Sequence, residues 1–176
     1  MRLWQQGLLY ASRWAVKAAR EGVTVPVPRR ILARLVERME EPSLADLRLE
    51  VGDGGYLEVS GRKKAGIWVD FRARFRVAAP TDRDPPRALI LHPEEVQPFL
   101  AKGPMLAALG QLDGARRDGD RVRIDLDHIL QGHEWGKKVP AALRERLRIS
   151  GVGAAEGQLR LQLRVSAGRQ RLAEGD

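Results

Sequence analysis

Three features of this 176-residue chain predict an α+β fold built on a long, curved antiparallel β-meander wrapped around or packed on helices. Apolar and polar residues alternate without a break from Ile67 to Val77. Shorter runs with the same two-residue period surround it, separated by Asp- and Gly-containing turns, whereas helical periodicity is concentrated at the front of the chain and between Pro93 and Leu112. A two-residue period puts every second side chain on one face of a sheet, and a period near 3.6 puts them on one face of a helix.

From Arg2 to Arg20 the residues Leu3, Trp4, Leu8, Ala11, Trp14, Ala15 and Ala18 return at helical spacing. Gly22 and the sequence from Val23 to Pro28 interrupt that period, and the two prolines favour an extended connector. A second helix is expected from Pro28, with Ile31, Leu32, Leu35, Val36 and Met39 on one face, ending before Pro42. The period then changes: Leu47, Leu49 and Val51 alternate with charges, Asp53-Gly54-Gly55 turns the chain, and Tyr56 to Ser60 completes a β-hairpin. The run from Ile67 to Val77 follows as one strand of about 11 residues, which would span ~35 Å.

Ala88 to Leu91 is expected to be a short strand. Between Pro93 and Leu112 the helical spacing of Val96, Phe99, Leu100, Met105, Leu106 and Leu109 is expected to break into two pieces at Pro98, Gly103 and Pro104. After the turn signal Asp118-Gly119-Asp120, the residues from Arg121 to Leu126 alternate again. Val139 to Leu143 is expected to form a helical turn, and Leu147, Ile149, a Gly-rich turn and then Leu159, Leu161, Leu163 and Val165 complete the sheet. Three regions result: a basic amphipathic helix over residues 1–22, a single domain over 23–166, and a tail over 167–176 expected to be disordered.

Apolar residues make up 43% and charged residues 31%, the mixture of a folded globular domain. The chain has no Cys, which excludes disulfides, thiolate metal sites and a cysteine nucleophile. The run MRLWQQGLLYASRWAVKAAR is too interrupted by polar residues to read as a membrane span or an export signal, so a cytoplasmic location, with peripheral contact at the inner membrane face, is expected.

Of the net charge of +8, six units fall in residues 1–38, which hold eight basic and two acidic side chains. An excess of this size suits anionic partners such as lipid headgroups or nucleic acid. In the first helix, Trp4, Tyr10 and Trp14 combine with Arg13, Lys17 and Arg20. Indole and phenol rings settle at headgroup level while cations meet phosphates, so these six residues are the candidates for a membrane surface. An ordinary helix with its cations in water would have the same composition.

The remaining motifs are weak. His92, His128 and His133, with Asp125, Asp127 and Glu134, match no zinc-binding spacing, and no metal or other cofactor is expected. Asp125 and Asp127 are placed on one strand face, charge-paired with Arg121 and Arg123. None of the five Ser residues lies in a nucleophile elbow, and Gly151-Val152-Gly153 lacks the setting of a phosphate cradle, so a noncatalytic role is expected. What remains is an apolar sheet face offering Leu57, Ile67, Val69, Phe71, Phe75, Val122, Ile124, Leu161 and Leu163, either filled by a helix or leaving a slot for a lipid chain.

The hairpin from Leu47 to Gly61, the strand from Ile67 to Val77, the strand from Arg121 to Leu126 and the closing segment from Leu147 to Leu163 together resemble the small bacterial LmeA-like members of the tubular lipid-binding (TULIP) superfamily. The resemblance covers roughly residues 28 to 165. It implies a curved sheet around a helix and noncatalytic binding of phospholipid, or another acyl lipid, in an apolar groove. It transfers no individual lipid-binding residue. Such proteins are usually exported or membrane-anchored, whereas this chain leads with a cationic amphipathic segment. The alternative from a different class is a basic module that binds nucleic acid or a protein through Arg29, Arg30, Arg34 and Arg38.

Overall fold

Alternation of Val, Phe and Ala with Arg gives the longest strand of the computed structural model, which describes residues 21–39, 41–131, 136–137 and 139–166. In chain order the elements are β1 (Val23–Val27), α1 (Arg29–Glu37), β2 (Leu44–Gly52), β3 (Tyr56–Ala65), β4 (Ile67–Ala78) and β5 (Ala88–Gln97). A 3-10 turn (Phe99–Ala101) then leads into α2 (Lys102–Gly110), β6 (Ala115–Asp118), β7 (Arg121–Asp125), α3 (Leu126–Gln131), α4 (Ala141–Arg144), β8 (Leu147–Ala155) and β9 (Gln158–Val165). The predicted helix over 1–22, apart from its last two residues, and the tail over 167–176 lie outside the described residues.

The α+β class holds, with antiparallel pairing throughout. The strands form two sheets: six strands in the order β2-β3-β4-β5-β7-β6, and three in the order β1-β9-β8. Only the first four strands of the larger sheet form a simple meander. β3 and β4 pair along their full length, from Tyr56 opposite Arg76 to Ala65 opposite Ile67. The turn before them needs two positive-φ residues in succession, and Gly54 and Gly55 supply them at 77° and 85°.

Several elements differ from the sequence reading. The extended connector is β1, an edge strand antiparallel to β9, where Pro26 lies opposite Arg160 and the missing N–H is tolerated. β5 runs on to Gln97, because its pairing with β7 stops at Leu91 and Pro93 therefore sits where β5 has only β4 as a partner, beside a register shift at Arg74/Phe75. Pro104 lies in the first turn of α2, where its N–H would have no helical acceptor, so Gly103-Pro104 does not divide that helix. The Gly-rich segment from Gly151 to Gly153 belongs to β8. The turn falls at Glu156 and Gly157, both at positive φ, as a two-residue hairpin requires.

A further difference concerns chemistry. β7 ends at Asp125, and Leu126 opens α3, so Asp125 and Asp127 do not share a strand face. Instead Asp125 Oδ1 accepts a hydrogen bond from the Asp127 N–H at 2.8 Å, while the Asp127 carboxylate pairs with Arg87.

The inner faces of both sheets meet in one apolar cluster. β3 and β4 contribute Leu57, Val59, Phe71, Ala73, Phe75 and Val77. β1, β8 and β9 contribute Val25, Val27, Leu147, Ile149, Leu159, Leu161 and Leu163. Leu32 and Val36 of α1, Met105, Leu106 and Leu109 of α2, and Leu126, Ile129 and Leu130 of α3 complete it. Each fully buried side chain of this size stabilises the fold by about 1.5–3 kcal/mol.

Candidate functional site

Alternation along β3, β4, β7 and β9 directs the groove candidates to the inner faces. Leu57, Phe71, Phe75, Val122, Ile124, Leu161 and Leu163 are each no more than 4% exposed, in one continuous cluster. Val69 and Ile67 do not join it. Along the inner face of β4, burial is complete at Phe71, partial at Val69 and lost at Ile67, because the strand runs on past the layer that covers it.

The two sheets share no strand ladder, so their inner faces are held together by side-chain packing, supplemented by an Ile149 N–H bond to the Pro86 carbonyl at 3.1 Å. Separating them at the centre would sacrifice contacts between hydrocarbon groups and no interstrand hydrogen bond.

At the end of the larger sheet that carries the β3–β4 turn, a cleft of about 630 Å³ opens among Arg48, Ser60, Arg62, Asp70, Arg72 and Gln97. Arg62 pairs with Asp46 and lies 5.6 Å from the centre of the Trp68 ring, and Arg72 Nε is 3.1 Å from Glu58 Oε1. Farther along this solvent face Arg76 pairs with Glu94 at 3.1 Å and Arg74 lies 5.4 Å from the Tyr56 ring centre. The face is thus a ladder of exposed cations matched largely by carboxylates and rings on neighbouring strands.

On α1, Arg30, Arg34 and Arg38 are exposed at successive four-residue steps. Arg29 is not part of that row: its Nε donates to the Leu49 carbonyl at 3.0 Å and its guanidinium lies 3.8 Å from Glu50. Arg34 and Arg38 also line a cleft of about 270 Å³ with Ile31, His128, Ile129 and Lys137.

A second charge cluster ties the loop after β4 to β7. Asp84 Oδ2 accepts hydrogen bonds from Thr81 Oγ1 at 2.7 Å and Thr81 N–H at 3.1 Å, while Arg121 Nη1 lies 3.0 Å from Oδ1. The Thr81 bonds foremost, with Arg121 and Arg123 adding to them, hold this carboxyl below its ordinary value against the opposing effect of burial. Asp118 is likewise lowered, first by its bond from Arg121, and Asp120 by its bond from Lys102. Each of these carboxylates already has a cationic partner, which makes the cluster a clasp and gives it no free group for acid–base work.

The membrane-surface candidates Trp4, Tyr10, Arg13, Trp14, Lys17 and Arg20 lie outside the described residues, as do His133 and Glu134. Among the described residues no group of three or more His, Asp or Glu could hold a metal ion, and no helix is long and apolar enough to cross a membrane. Sequence reasoning missed the cleft at the sheet end, since its residues come from the polar positions of four strands. The alternation of Arg with Ser and Asp across a predicted hairpin was the available signal. Comparison with protein-family models, curated proteins and solved structures finds no match to this chain.

Proposed function

We propose that the protein binds phospholipid without catalysis, holds an acyl chain between its two sheets and works at an anionic membrane surface. The observation that carries this reading is the apolar layer in which Leu57, Phe71 and Phe75 of one sheet meet Leu161 and Leu163 of the other with no strand ladder between the sheets. An acyl chain entering there exchanges side-chain contacts for methylene contacts at ~0.8 kcal/mol per CH₂ and leaves the backbone hydrogen bonding intact. The basic N-terminal segment, with Trp4, Tyr10 and Trp14, adds attraction to anionic headgroups.

The test is organic extraction of the purified protein followed by mass spectrometry, together with uptake of a fluorescent phospholipid from vesicles. Co-purifying lipid and saturable uptake are expected, with uptake lowered by Phe75→Trp, which adds bulk to the shared layer. Absence of both lipid and uptake in the wild-type protein would overturn the reading.

The row of Arg30, Arg34 and Arg38 favours a second reading, a phosphate-backbone contact to nucleic acid. It requires duplex binding that weakens steeply with salt, with a slope reduced by about one for each Arg→Ala substitution in the row. Salt-insensitive binding, or none, removes it.

A further inference from the structure

We propose that the end of the six-stranded sheet formed by the β3–β4 hairpin tip and the 3-10 turn after β5 docks on the surface of anionic phospholipid bilayers. The proposal deepens the membrane part of the function proposed above and rests on it, but places the contact in the folded domain and not in the N-terminal segment.

Among the described residues the large apolar side chains left exposed are Ile67 at 73%, Trp68 at 43%, Phe99 at 79% and Leu100 at 54%. Register directs both pairs toward the same end of one sheet. Ile67 and Trp68 open β4, opposite Ala65 and Lys64, and β5 ends at Gln97, which pairs with Arg72 midway along β4 and five residues from Ile67, just before Phe99 and Leu100. The four residues are separated by about thirty positions in sequence, so their convergence is a property of the fold and not of one apolar run. The hairpin projects about 13 Å beyond Phe71, the last fully covered residue of its inner face, at the usual rise per residue.

The charges around these side chains have one sign over the tip itself. Arg62, Lys63 and Lys64 precede the turn, and no acidic residue lies between Gly61 and Val69. Lys102, which pairs with Asp120 at 2.8 Å, stands beside the second apolar pair, its Nζ 6.0 Å from the Phe99 ring centre. Between the two pairs opens the cleft lined by Arg48, Arg62 and Arg72 together with Asp46 and Asp70, where Arg62 pairs with Asp46 and Arg72 with Glu58 and the Arg48 guanidinium suits phosphate oxygens. An indole flanked by cations and aliphatic side chains is the composition that settles at the boundary of headgroups and acyl chains, with cations adding attraction to anionic lipid. A second copy of this chain would bring the same cations against one another, which is why a membrane is the occupant the charges favour.

The experiment is flotation of the full chain with vesicles of phosphatidylcholine alone or mixed with phosphatidylglycerol. Wild-type protein is expected to float with the anionic vesicles. Ile67→Ser with Trp68→Ser, and separately Phe99→Ser with Leu100→Ser, are each expected to reduce vesicle affinity about tenfold or more while leaving thermal stability unchanged, since these side chains are exposed. Lys63→Glu with Lys64→Glu should abolish the preference for anionic lipid. A protein that keeps Trp68 as its sole indole, through Trp4→Phe, Trp14→Phe and Trp135→Phe, should show quenching by brominated acyl chains. Undiminished flotation of the serine variants, or no quenching at Trp68, overturns the proposal and leaves acyl binding between the sheets standing. Self-association of the wild-type protein that the serine variants lose, without vesicle binding, overturns it in favour of a contact between copies. Loss of flotation with continued co-purification of lipid supports it.

Discussion

Asp84 has a side chain only 1% exposed, yet it is charged and lies in a loop. Its carboxylate satisfies the N–H and hydroxyl of Thr81 and faces Arg121, so truncation would strand several polar groups at once. Asp84→Ala is therefore expected to destabilise the fold by about 1–3 kcal/mol in urea denaturation. The sign of the pH dependence follows from the lowered carboxyl. Its contribution is fully present above the unfolded-chain value of 3.8 and is lost as pH falls through the lower folded value. The difference in stability between wild type and Asp84→Ala should accordingly be constant near neutrality and shrink below about pH 4. No periodicity reveals such a residue in sequence, because Thr81 and Asp84 read only as a polar turn. At the same scale the inner-face alternation runs through Leu57, Phe71 and Phe75, which are buried, and continues to Ile67, which is exposed because a two-residue period persists past the point where covering ends.

The elements were legible in proportion to how far each carries its own signal. β4 alternates for its whole length, and every other residue from Phe71 to Val77 is buried. β5 loses the signal halfway, where it changes from a strand paired on both sides to one paired on a single side at Pro93. β6, Ala115–Asp118, has a single buried apolar residue and pairs at the sheet margin, so nothing in its composition marks it as a strand. Phe99 and Leu100 fit a helical period with Met105 and Leu109, so the spacing predicts an interrupted helix there; the 3-10 turn instead leaves both in solvent. The pairing of β2 with β3 depends on one close approach. A Cβ at Gly61 would lie 2.7 Å from the Ala45 carbonyl oxygen and 2.9 Å from Leu47, beside the register shift between Ala45 and Arg48. Gly61→Ala is expected to lower stability by about 1–3 kcal/mol, with the loss traced by faster amide exchange in β2 and β3. Unchanged exchange there would mean the bulge adjusts without strain.

For the whole molecule, the change from one predicted meander to two sheets is the main departure, and it has a local origin. The prolines at 26 and 28 disguise β1, whose partner β9 lies at the far end of the chain; a pairing that distant leaves no trace in short-range periodicity. The proposed function depends on the same arrangement, because it places an acyl chain in the layer that side chains, and not a shared ladder, hold together. The sheet-end surface likewise exists only at this scale, where β4 and the turn after β5 are brought to one side.

Because β1 and β9 run antiparallel with Val23 opposite Leu163, the described chain begins and finishes at the same end of that pair. Tension applied at residues 21 and 166 therefore loads their hydrogen bonds in sequence and not all together. In an optical trap the first rupture should occur at low force and detach β1 before the remainder yields. Moving one handle from residue 21 to residue 28, at the opposite end of β1, converts peeling into shear and should raise that force markedly; equal forces in both geometries would show that resistance arises elsewhere.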